Sequence, residues 1–305
     1  MATTDTGRKN KRELNGLLLL DKPVGVTSNQ ALQRVKWLLR AKKAGHTGTL
    51  DPLATGLLPI CLGEATKFSR FQLEANKRYL VTARFGAVSD SGDCEGQIVL
   101  TDAALPANEA IIREATTHFI GEIDQRPPLY SAIKKAGRRL CDYAREGVTV
   151  EPELRRVQVS QFELNEYRGG EARFEISCSK GTYVRSLIAD LGELLGCGAY
   201  VARLRRIESG GLSVEQAVSL SELEAIVDND EYVLGQLRPM DTLLAGVAKL
   251  ELTAEQANRL LMGQIITISD PGHAGSVALY AGGQFIGVGD VNKEGVVRPK
   301  RLLRH

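Results

Sequence analysis

The alternation of apolar and polar residues predicts several strands in the first part of the chain. Residues 16–23, GLLLLDKP, are a short apolar run ended by a turn, which is typical of a buried strand. Residues 77–86 are rich in β-branched and aromatic side chains, and residues 173–179 alternate with a period of two. Both patterns indicate strands, the second of them half-buried.

Helical spacing predicts helices between these strands. Ser28 is expected to cap a helix whose apolar side carries Leu32, Val35, Leu38 and Leu39. Trp37 is expected beside that side or near the surface, and nothing in its sequence context marks it as a base-stacking platform. Further helices are predicted within residues 107–120 and 219–227. Helices and strands mixed without a regular βαβ rhythm predict an α+β fold on a large, mostly antiparallel sheet.

The pattern changes near residue 245 and indicates a second, smaller unit. Residues 252–264 begin with a capping box, Thr253 and Gln256, and end at Gly263, which predicts a short helix. The following segment gives short strands interrupted by Gly282-Gly283 at a hairpin position. About sixty residues of this kind predict a small β-rich module.

Composition is that of an ordinary globular protein. Of 305 residues, 43% are apolar and 25% charged, and no apolar run approaches the roughly 18–20 residues of a membrane span. The polar, basic N-terminus lacks the apolar region of a secretory signal and is expected to be a flexible tail over residues 1–13. Five scattered cysteines without a C-x-x-C pair predict reduced thiols in a cytoplasmic protein and no metal site.

The distribution of charge favours a polyanionic partner more than the net charge does. The formal net charge is only +2. Basic residues nevertheless cluster at 134–139, 203–206 and 298–304, away from the acidic segment 220–231. Local positive patches are what phosphate contacts need, although a charge cluster is more often a solvated face.

The segment GHTGTLDPLATG, residues 45–56, places a carboxylate in an unusual setting. Asp51 precedes Pro52, which steers its backbone toward an extended conformation, and small or apolar residues surround it. Such a carboxylate is costly unless its charge is used or paired. The alternative is a turn aspartate that caps a helix beginning in ATGLLP.

Residues 45–67, GHTGTLDPLATGLLPICLGEATK, resemble the signature segment of the TruB family of tRNA pseudouridine synthases. Four further motifs match in the same order, at 16–30, 126–147, 178–192 and 198–210, so the resemblance spans about residues 14–305. It implies a pseudouridine synthase catalytic domain over 14–245, with a thumb-like insertion at about 126–150. It also implies a PUA-like RNA-binding domain over 246–305.

The resemblance implies a role for individual residues. Asp51 matches the family's catalytic aspartate, taken as the nucleophile, and Arg185 matches the arginine that pairs with it and would hold it ionised. Whether Asp51 attacks C1′, attacks the base or removes a sugar proton stays open on sequence. The substrate-binding residues would be His46, Tyr79, Tyr183 and Leu204, with Tyr79 stacked on the target base. The RNA-backbone contacts would be Lys67, Lys134, Lys135, Arg138, Arg139, Arg205 and Arg206.

One position departs from the family, since Tyr200 stands where many relatives carry histidine.

Two other patterns resemble binding motifs but predict no ligand site. Residues 89–96, SDSGDCEG, have closely spaced carboxylates, but Gly92 and Cys94 occupy the ligand positions of a calcium loop, so a turn is expected. Residues 287–295 begin with G-x-G but lack the third glycine of a dinucleotide site.

The expected function is a monomeric tRNA pseudouridine synthase that isomerises uridine 55 in the T stem-loop without a guide RNA. Moving the uracil from N1 to C5 linkage involves no redox change or group donor, so neither cofactor nor metal is expected. Two alternatives remain: a non-catalytic RNA-binding or tRNA-folding protein, and a guide-dependent catalytic subunit of a ribonucleoprotein.

Overall fold

The computed structural model describes residues 11–131, 133–148, 150–269, 272 and 274–303, without the side chain of Arg139. Its strands are β1 Gly16–Lys22, β2 Ala44–His46, β3 Thr55–Leu62, β4 Lys77–Phe85, β5 Ala87–Ser89, β6 Ile98–Leu100, β7 Gly121–Gln125, β8 Lys134–Lys135, β9 Arg138–Arg139, β10 Arg155–Arg168, β11 Glu171–Cys178, β12 Ala199–Ser209, β13 Leu212–Ser213, β14 Val218–Ser219, β15 Leu237–Arg238, β16 Ala248–Leu252, β17 Ile266–Thr267, β18 Gly275–Ala281, β19 Gln284–Val291 and β20 Val296–Leu302.

Its α-helices are α1 Ser28–Leu38, α2 Ser69–Glu74, α3 Glu109–Thr117, α4 Leu140–Arg145, α5 Val184–Leu194, α6 Leu220–Ile226, α7 Asp230–Gly235 and α8 Ala254–Leu261. Short 3-10 helices cover Gly63–Lys67, Val214–Gln216 and Met240–Leu244. Within the described ranges, no helix is both long enough and apolar enough to cross a membrane.

A large mixed sheet forms the body of the first unit. Its strands lie in the order β14-β1-β3-β12-β4-β11-β10-β7. The pairs β14/β1 and β3/β12 are parallel and the other neighbours are antiparallel. This arrangement confirms the predicted α+β class, with a mostly antiparallel sheet and flanking helices.

One face of this sheet carries the main core. Leucines of β1 and β3 pack there with apolar residues of β4, β10 and β11, and helices α1, α3 and α5 cover them. The predicted apolar side of α1 is buried at Leu32, Val35, Leu38 and Leu39. The cap of α1 is Thr27 rather than Ser28, because Thr27 Oγ1 accepts from Gln30 N while Gln30 Oε1 accepts from Thr27 N. Ser28 Oγ instead bonds to the backbone of Leu50, the residue before Asp51.

The C-terminal unit is β-rich, as predicted. Its five strands lie in the order β16-β18-β19-β20-β17, and α8 begins with the predicted Thr253 capping box. Gly282 and Gly283 join β18 to β19 with φ of 57° and 73°, the positive values that a two-residue hairpin loop requires. The cluster that links the two units includes Phe68, whose ring meets that of Phe285 edge to face at 5.2 Å.

The predicted N-terminal tail is described only from residue 11 onward. There Arg12 N donates to Arg40 O at 2.8 Å, and Arg12 O accepts from Lys42 N at 2.9 Å. Residues 1–10 lie outside the described residues. The division at residue 245 and the tail itself stay predictions.

Candidate active site

Asp51 lies on a loop between β2 and β3 that hydrogen bonds hold in place. Ser28 Oγ accepts from Leu50 N at 2.7 Å and donates to Leu50 O at 3.0 Å, which fixes the residue before Asp51. Pro52 O accepts from Gly25 N at 2.8 Å. The segment after Asp51 enters β3, so it does not begin the helix considered as an alternative for ATGLLP. The loop is therefore positioned by the residues that follow β1.

The buried Lys22 also holds the backbone near Asp51 in place. Its Nζ donates to Val26 O at 2.7 Å and to Pro23 O at 2.9 Å. Burial lowers the Lys22 pKa to about 8, although the negative charge of Asp51 opposes this shift. Lys22 thus braces the turn that carries Gly25 and contributes positive charge near the carboxylate.

Arg185 joins Asp51 to a second carboxylate. Its Nε lies 3.0 Å from Asp51 Oδ2, and one terminal nitrogen lies 3.1 Å from Asp93 Oδ2. The same guanidinium donates to Ser91 O at 2.9 Å and to Tyr130 O at 2.8 Å. The side chains of Arg185 and Asp93 are only 5% and 3% exposed. These contacts fix the position of Arg185 relative to Asp51.

The net electrostatic effect differs from the sequence-based expectation. Burial raises the pKa of Asp51, and the nearby Asp93 raises it further, whereas Arg185 and Lys22 lower it. The shift is upward overall, although the Asp51 side chain keeps 35% exposure toward the pocket. Arg185 pairs with Asp51 as predicted, but it only partly offsets the cost of burying the charge.

Asp51 opens into a pocket of about 310 Å³ that contains most of the predicted substrate-binding residues. Tyr79 and Tyr183 line it together with Leu204 and Arg185. Burial raises the pKa of both tyrosines, so both hydroxyls stay protonated. A larger cavity of about 770 Å³ shares only Leu204 and Arg205 with the predicted site residues. Because the smaller pocket contains Asp51, Arg185 and both tyrosines, it is the candidate active site.

Tyr183 and Arg185 are placed by the start of α5. Tyr183 N donates to Gln125 Oε1 at 2.7 Å, and Gln125 Nε2 donates to Tyr183 O at 3.0 Å. Gln125 is 2% exposed and ends β7, just before the predicted thumb. Ser186 Oγ also donates to Arg126 O at 2.8 Å. The residues at the start of the predicted thumb are thus attached to α5, the helix that carries Arg185.

Arg206, predicted at the RNA backbone, lies beneath the pocket instead. It is 1% exposed, and its guanidinium donates to Leu57 O at 2.7 Å and to Gly48 O at 3.2 Å. Its backbone passes so close to Gly56 that a Cβ there would lie 2.2 Å from Arg206 O. In this position the Arg206 guanidinium is bound to the loop before Asp51 and to β3, and it also lines the Asp51 pocket.

His46 lies on β2, where it pairs with Ile60. Its Nδ1 is buried and has no hydrogen-bond partner among the described residues. Burial and the charge of Arg206 both lower its pKa, which favours the neutral ring. A neutral imidazole with an unused nitrogen can accept or donate one hydrogen bond to a ligand.

The other predicted backbone contacts differ in how free their charges are. Lys134 and Lys135 face Arg138 and Arg139 across a two-stranded hairpin. Lys134 is exposed, whereas Arg138 pairs with Glu146. Arg205 is bound through both terminal nitrogens to Asp21, at 3.0 and 2.7 Å. Lys67 pairs with Glu64 and donates to Leu302 O at 3.0 Å, so it lies at the junction of the two units.

Sequence reasoning missed two residues beside the pocket. Asp93 belongs to segment 89–96, which is a turn as predicted, and its carboxylate accepts from Ser91 Oγ at 2.6 Å and from Glu95 N at 3.0 Å. Lys77 lines the pocket, and its Nζ caps α2 by donating to Leu73 O at 2.9 Å. In the described ranges, no group of three or more His, Cys, Asp or Glu side chains is placed to hold a metal ion.

Comparisons with known proteins agree with this geometry. The family model for the N-terminal domain of TruB pseudouridylate synthases matches residues 36–184, and two models for TruB C-terminal domains match 185–245 and 248–303. The chain is 47% identical to tRNA pseudouridine synthase B of Aromatoleum aromaticum over 97% of its length and 95% of that protein. It is 45% identical to the Aeromonas salmonicida protein of the same name, over 96% and 95%.

Among solved structures, a Cbf5–Nop10–Gar1 complex includes a similar chain, with a TM-score of 0.74 and 28% identity. The match covers 94% of this chain and 84% of that one. These matches cover both units and the whole Asp51 pocket. The chain belongs to the TruB family of pseudouridine synthases.

Proposed function

We propose that this protein is a tRNA pseudouridine synthase that converts uridine 55 in the T arm to pseudouridine, acting without a guide RNA. The observation that carries the proposal is that Asp51, partly exposed to a pocket lined by Tyr79 and Tyr183, is paired with the buried Arg185–Asp93 couple. Relatives with this name include proteins that are 44–47% identical over nearly the whole chain.

A uridine within folded RNA must leave its stack before a side chain can reach it. The pocket provides an aromatic ring, Tyr79, at one wall and apolar surface at Leu204. A uracil stacked on Tyr79 would have its sugar near Asp51. A uracil that fills the pocket would displace water from Asp51, and this would protect the detached base from being lost.

The carboxylate meets the chemical need of the reaction. Breaking the N1–C1′ bond develops positive character at the sugar, which the ionised Asp51 stabilises or attacks. Arg185 orients Asp51 and supports the ionised form, while Asp93 keeps Arg185 in place. No step calls for a group donor or a change of oxidation state.

The surrounding surface is proposed to hold the RNA. His46 is partly exposed and would contact the nucleotides beside the flipped uridine. Lys134 and Lys135 on the thumb would contact phosphates, as would a PUA-like unit over residues 246–305. A monomer in the cytoplasm is sufficient for this activity, because every group named above comes from one chain.

A guide-dependent role is the competing proposal. It is favoured by the similarity to a chain of the Cbf5–Nop10–Gar1 complex. Sequence identity is 28% to the chain of that complex and 47% to tRNA pseudouridine synthase B of Aromatoleum aromaticum. The higher identity favours a protein that acts without a guide RNA. Incubation of the purified protein with an unmodified T stem-loop, followed by mapping of pseudouridine, separates the two. Conversion without added RNA or protein supports the proposal, and conversion only with a guide ribonucleoprotein contradicts it.

A further inference from the structure

The C-terminal end of α1 forms a basic surface with an exposed aromatic ring, outside the active-site pocket. We call it the α1 surface and define it by Lys11, Lys36, Trp37 and Arg40. Trp37 is 67% exposed, and a cavity of about 570 Å³ lies beside it, lined also by Lys36 and Arg40. None of these residues takes part in the pocket around Asp51.

The ring of Trp37 is held in place with one face covered. The Arg34 guanidinium carbon lies 4.6 Å from the ring centroid, and Arg34 is itself fixed by Glu224 at 2.6 Å. Since Trp37 remains 67% exposed despite this contact, its opposite face is open. An ordered indole with one open face beside cations is suited to stack on a nucleic-acid base.

Arg40 occupies a backbone conformation that glycine normally provides. Its φ is +52°, at the position after the cap of α1. Arg40 N donates to Trp37 O at 3.1 Å and Ala41 N donates to Lys36 O at 3.0 Å, the two hydrogen bonds of a Schellman motif. An arginine is strained there. The strain is explained if its side chain has a role at this surface.

The charges of the α1 surface fit a polyanion. Neighbouring cations are neutralised, since Arg12 pairs with Asp230 and Lys42 with Glu13. Lys11, Lys36 and Arg40 line the cavity and have no ion pair among the described residues. Asp228 is the acidic residue that lines the cavity. Three free cations around an open indole favour RNA over a protein partner of mixed charge.

The position of the α1 surface indicates which part of the RNA it would meet. Ser28 touches the residue before Asp51, and Trp37 lies nine residues along α1, roughly 14 Å away. The thumb follows β7, at the opposite end of the sheet from β1. An RNA held by the pocket and thumb must therefore extend past the flipped nucleotide to reach the α1 surface.

We infer that the α1 surface binds a part of folded tRNA outside the T stem-loop, through phosphates and one stacked base. The inference rests on the proposed tRNA function and adds a second contact region to it. It predicts that the full tRNA and the isolated stem-loop respond differently when this surface is changed.

The test compares an unmodified full-length tRNA transcript with the T stem-loop, by dissociation constant and by kcat and KM of pseudouridine formation. Trp37→Ala should weaken binding of full-length tRNA about tenfold, as expected for loss of one stacked base, with kcat unchanged. The stem-loop constants should stay at the wild-type values. Trp37→Phe should retain most of the affinity, and Arg84→Ala, an exposed arginine of β4, is the control.

Arg40→Gly separates binding from folding. Glycine relieves the left-handed backbone, so the melting temperature should equal or exceed that of the wild type. Affinity for full-length tRNA should nevertheless fall, and the slope of log K against log salt should decrease by about 0.7–0.9 for one lost phosphate contact.

If Trp37→Ala and Arg40→Gly bind both RNAs as tightly as the wild type does, the α1 surface does not bind RNA and the inference is wrong. Equal weakening for both RNAs would assign the surface to the T arm itself and overturn the inference. Failure of the proposed function is a separate result, because the wild-type protein would then leave the stem-loop unmodified.

Discussion

Replacing Asp93 with asparagine tests whether the second carboxylate positions the Asp51–Arg185 pair. The change keeps the size of the side chain but removes a negative charge 3.1 Å from Arg185. Removing one partner of a buried ion pair typically costs about 3–5 kcal/mol. Here Arg185 keeps Asp51 and two carbonyl acceptors, and asparagine still accepts from Ser91, so we expect a loss of about 1–3 kcal/mol in the free energy of unfolding.

The same change should alter catalysis in two ways. Arg185 loses one of its anchors, and a displaced Asp51 should lower kcat by about 10²-fold, the cost of a small misplacement at a reacting centre. The Asp93 charge raises the pKa of Asp51, so its removal should move the acidic limb of kcat/KM to lower pH.

Denaturant unfolding and a pH–rate profile on the T stem-loop measure both effects. Asp90→Asn is the matched control, because Asp90 lies in the same turn and bonds to Gln97 N rather than to Arg185. A wild-type rate with an unmoved acidic limb in Asp93→Asn would refute the positioning role. An acidic limb that moved to higher pH would refute the electrostatic argument.

Three further changes follow from the site. Tyr79→Leu should lose the stacking energy of roughly 1–3 kcal/mol, whereas Tyr79→Phe should keep it. Activity near the wild-type level in the leucine variant would show that Tyr79 does not stack on the target base. Lys134→Ala combined with Arg138→Ala should reduce the salt slope of tRNA binding by about 1.4–1.8 if each contacts one phosphate, and an unchanged slope would reject the thumb contact. Asp51→Asn should be at least as stable as the wild type at pH 7, because the folded-state pKa of Asp51 is raised and its ionised form therefore opposes folding. That advantage should vanish as the pH falls below the ordinary carboxylate value of 3.8, where both states are protonated, and denaturation at several pH values measures it.

Local sequence patterns predicted the elements with strong periodicity. The run GLLLLDK became β1, and residues 77–85 and 171–178 became β4 and β11, because each has a buried or alternating side. The Gly282-Gly283 turn and the capping box of α8 were also predicted, since both depend on short-range chemistry.

Elements fixed by distant contacts were not predicted. β12, rich in arginines, reads as a surface segment, yet it lies in the sheet between β3 and β4. The polar stretch after residue 227 contains α7 and β15, which pairs with β1. These segments are ordered by partners more than a hundred residues away.

The site residues also differ in whether they could be predicted from the sequence. The motif resemblance predicted the pairing of Asp51 and Arg185, and the structure brings them together at 3.0 Å. The role of Asp93 could not be read from its turn, since only the fold brings residues 91–93 to Arg185. Arg206 was expected at a phosphate from the basic cluster at 203–206, and its burial against the carbonyl oxygens of Gly48 and Leu57 could not be read from that cluster.

The central claim is that Asp51, in this pocket, carries the isomerisation of a T-arm uridine. The direct measurement is pseudouridine mapped in an unmodified T stem-loop after incubation with purified wild-type protein or with Asp51→Asn, alongside the affinity of each for the RNA. We expect conversion at uridine 55 by the wild type alone, and none by Asp51→Asn despite comparable RNA binding, because phosphate contacts dominate affinity. Turnover by Asp51→Asn well above background, or a wild-type protein that binds the stem-loop and leaves it unmodified, would contradict the account.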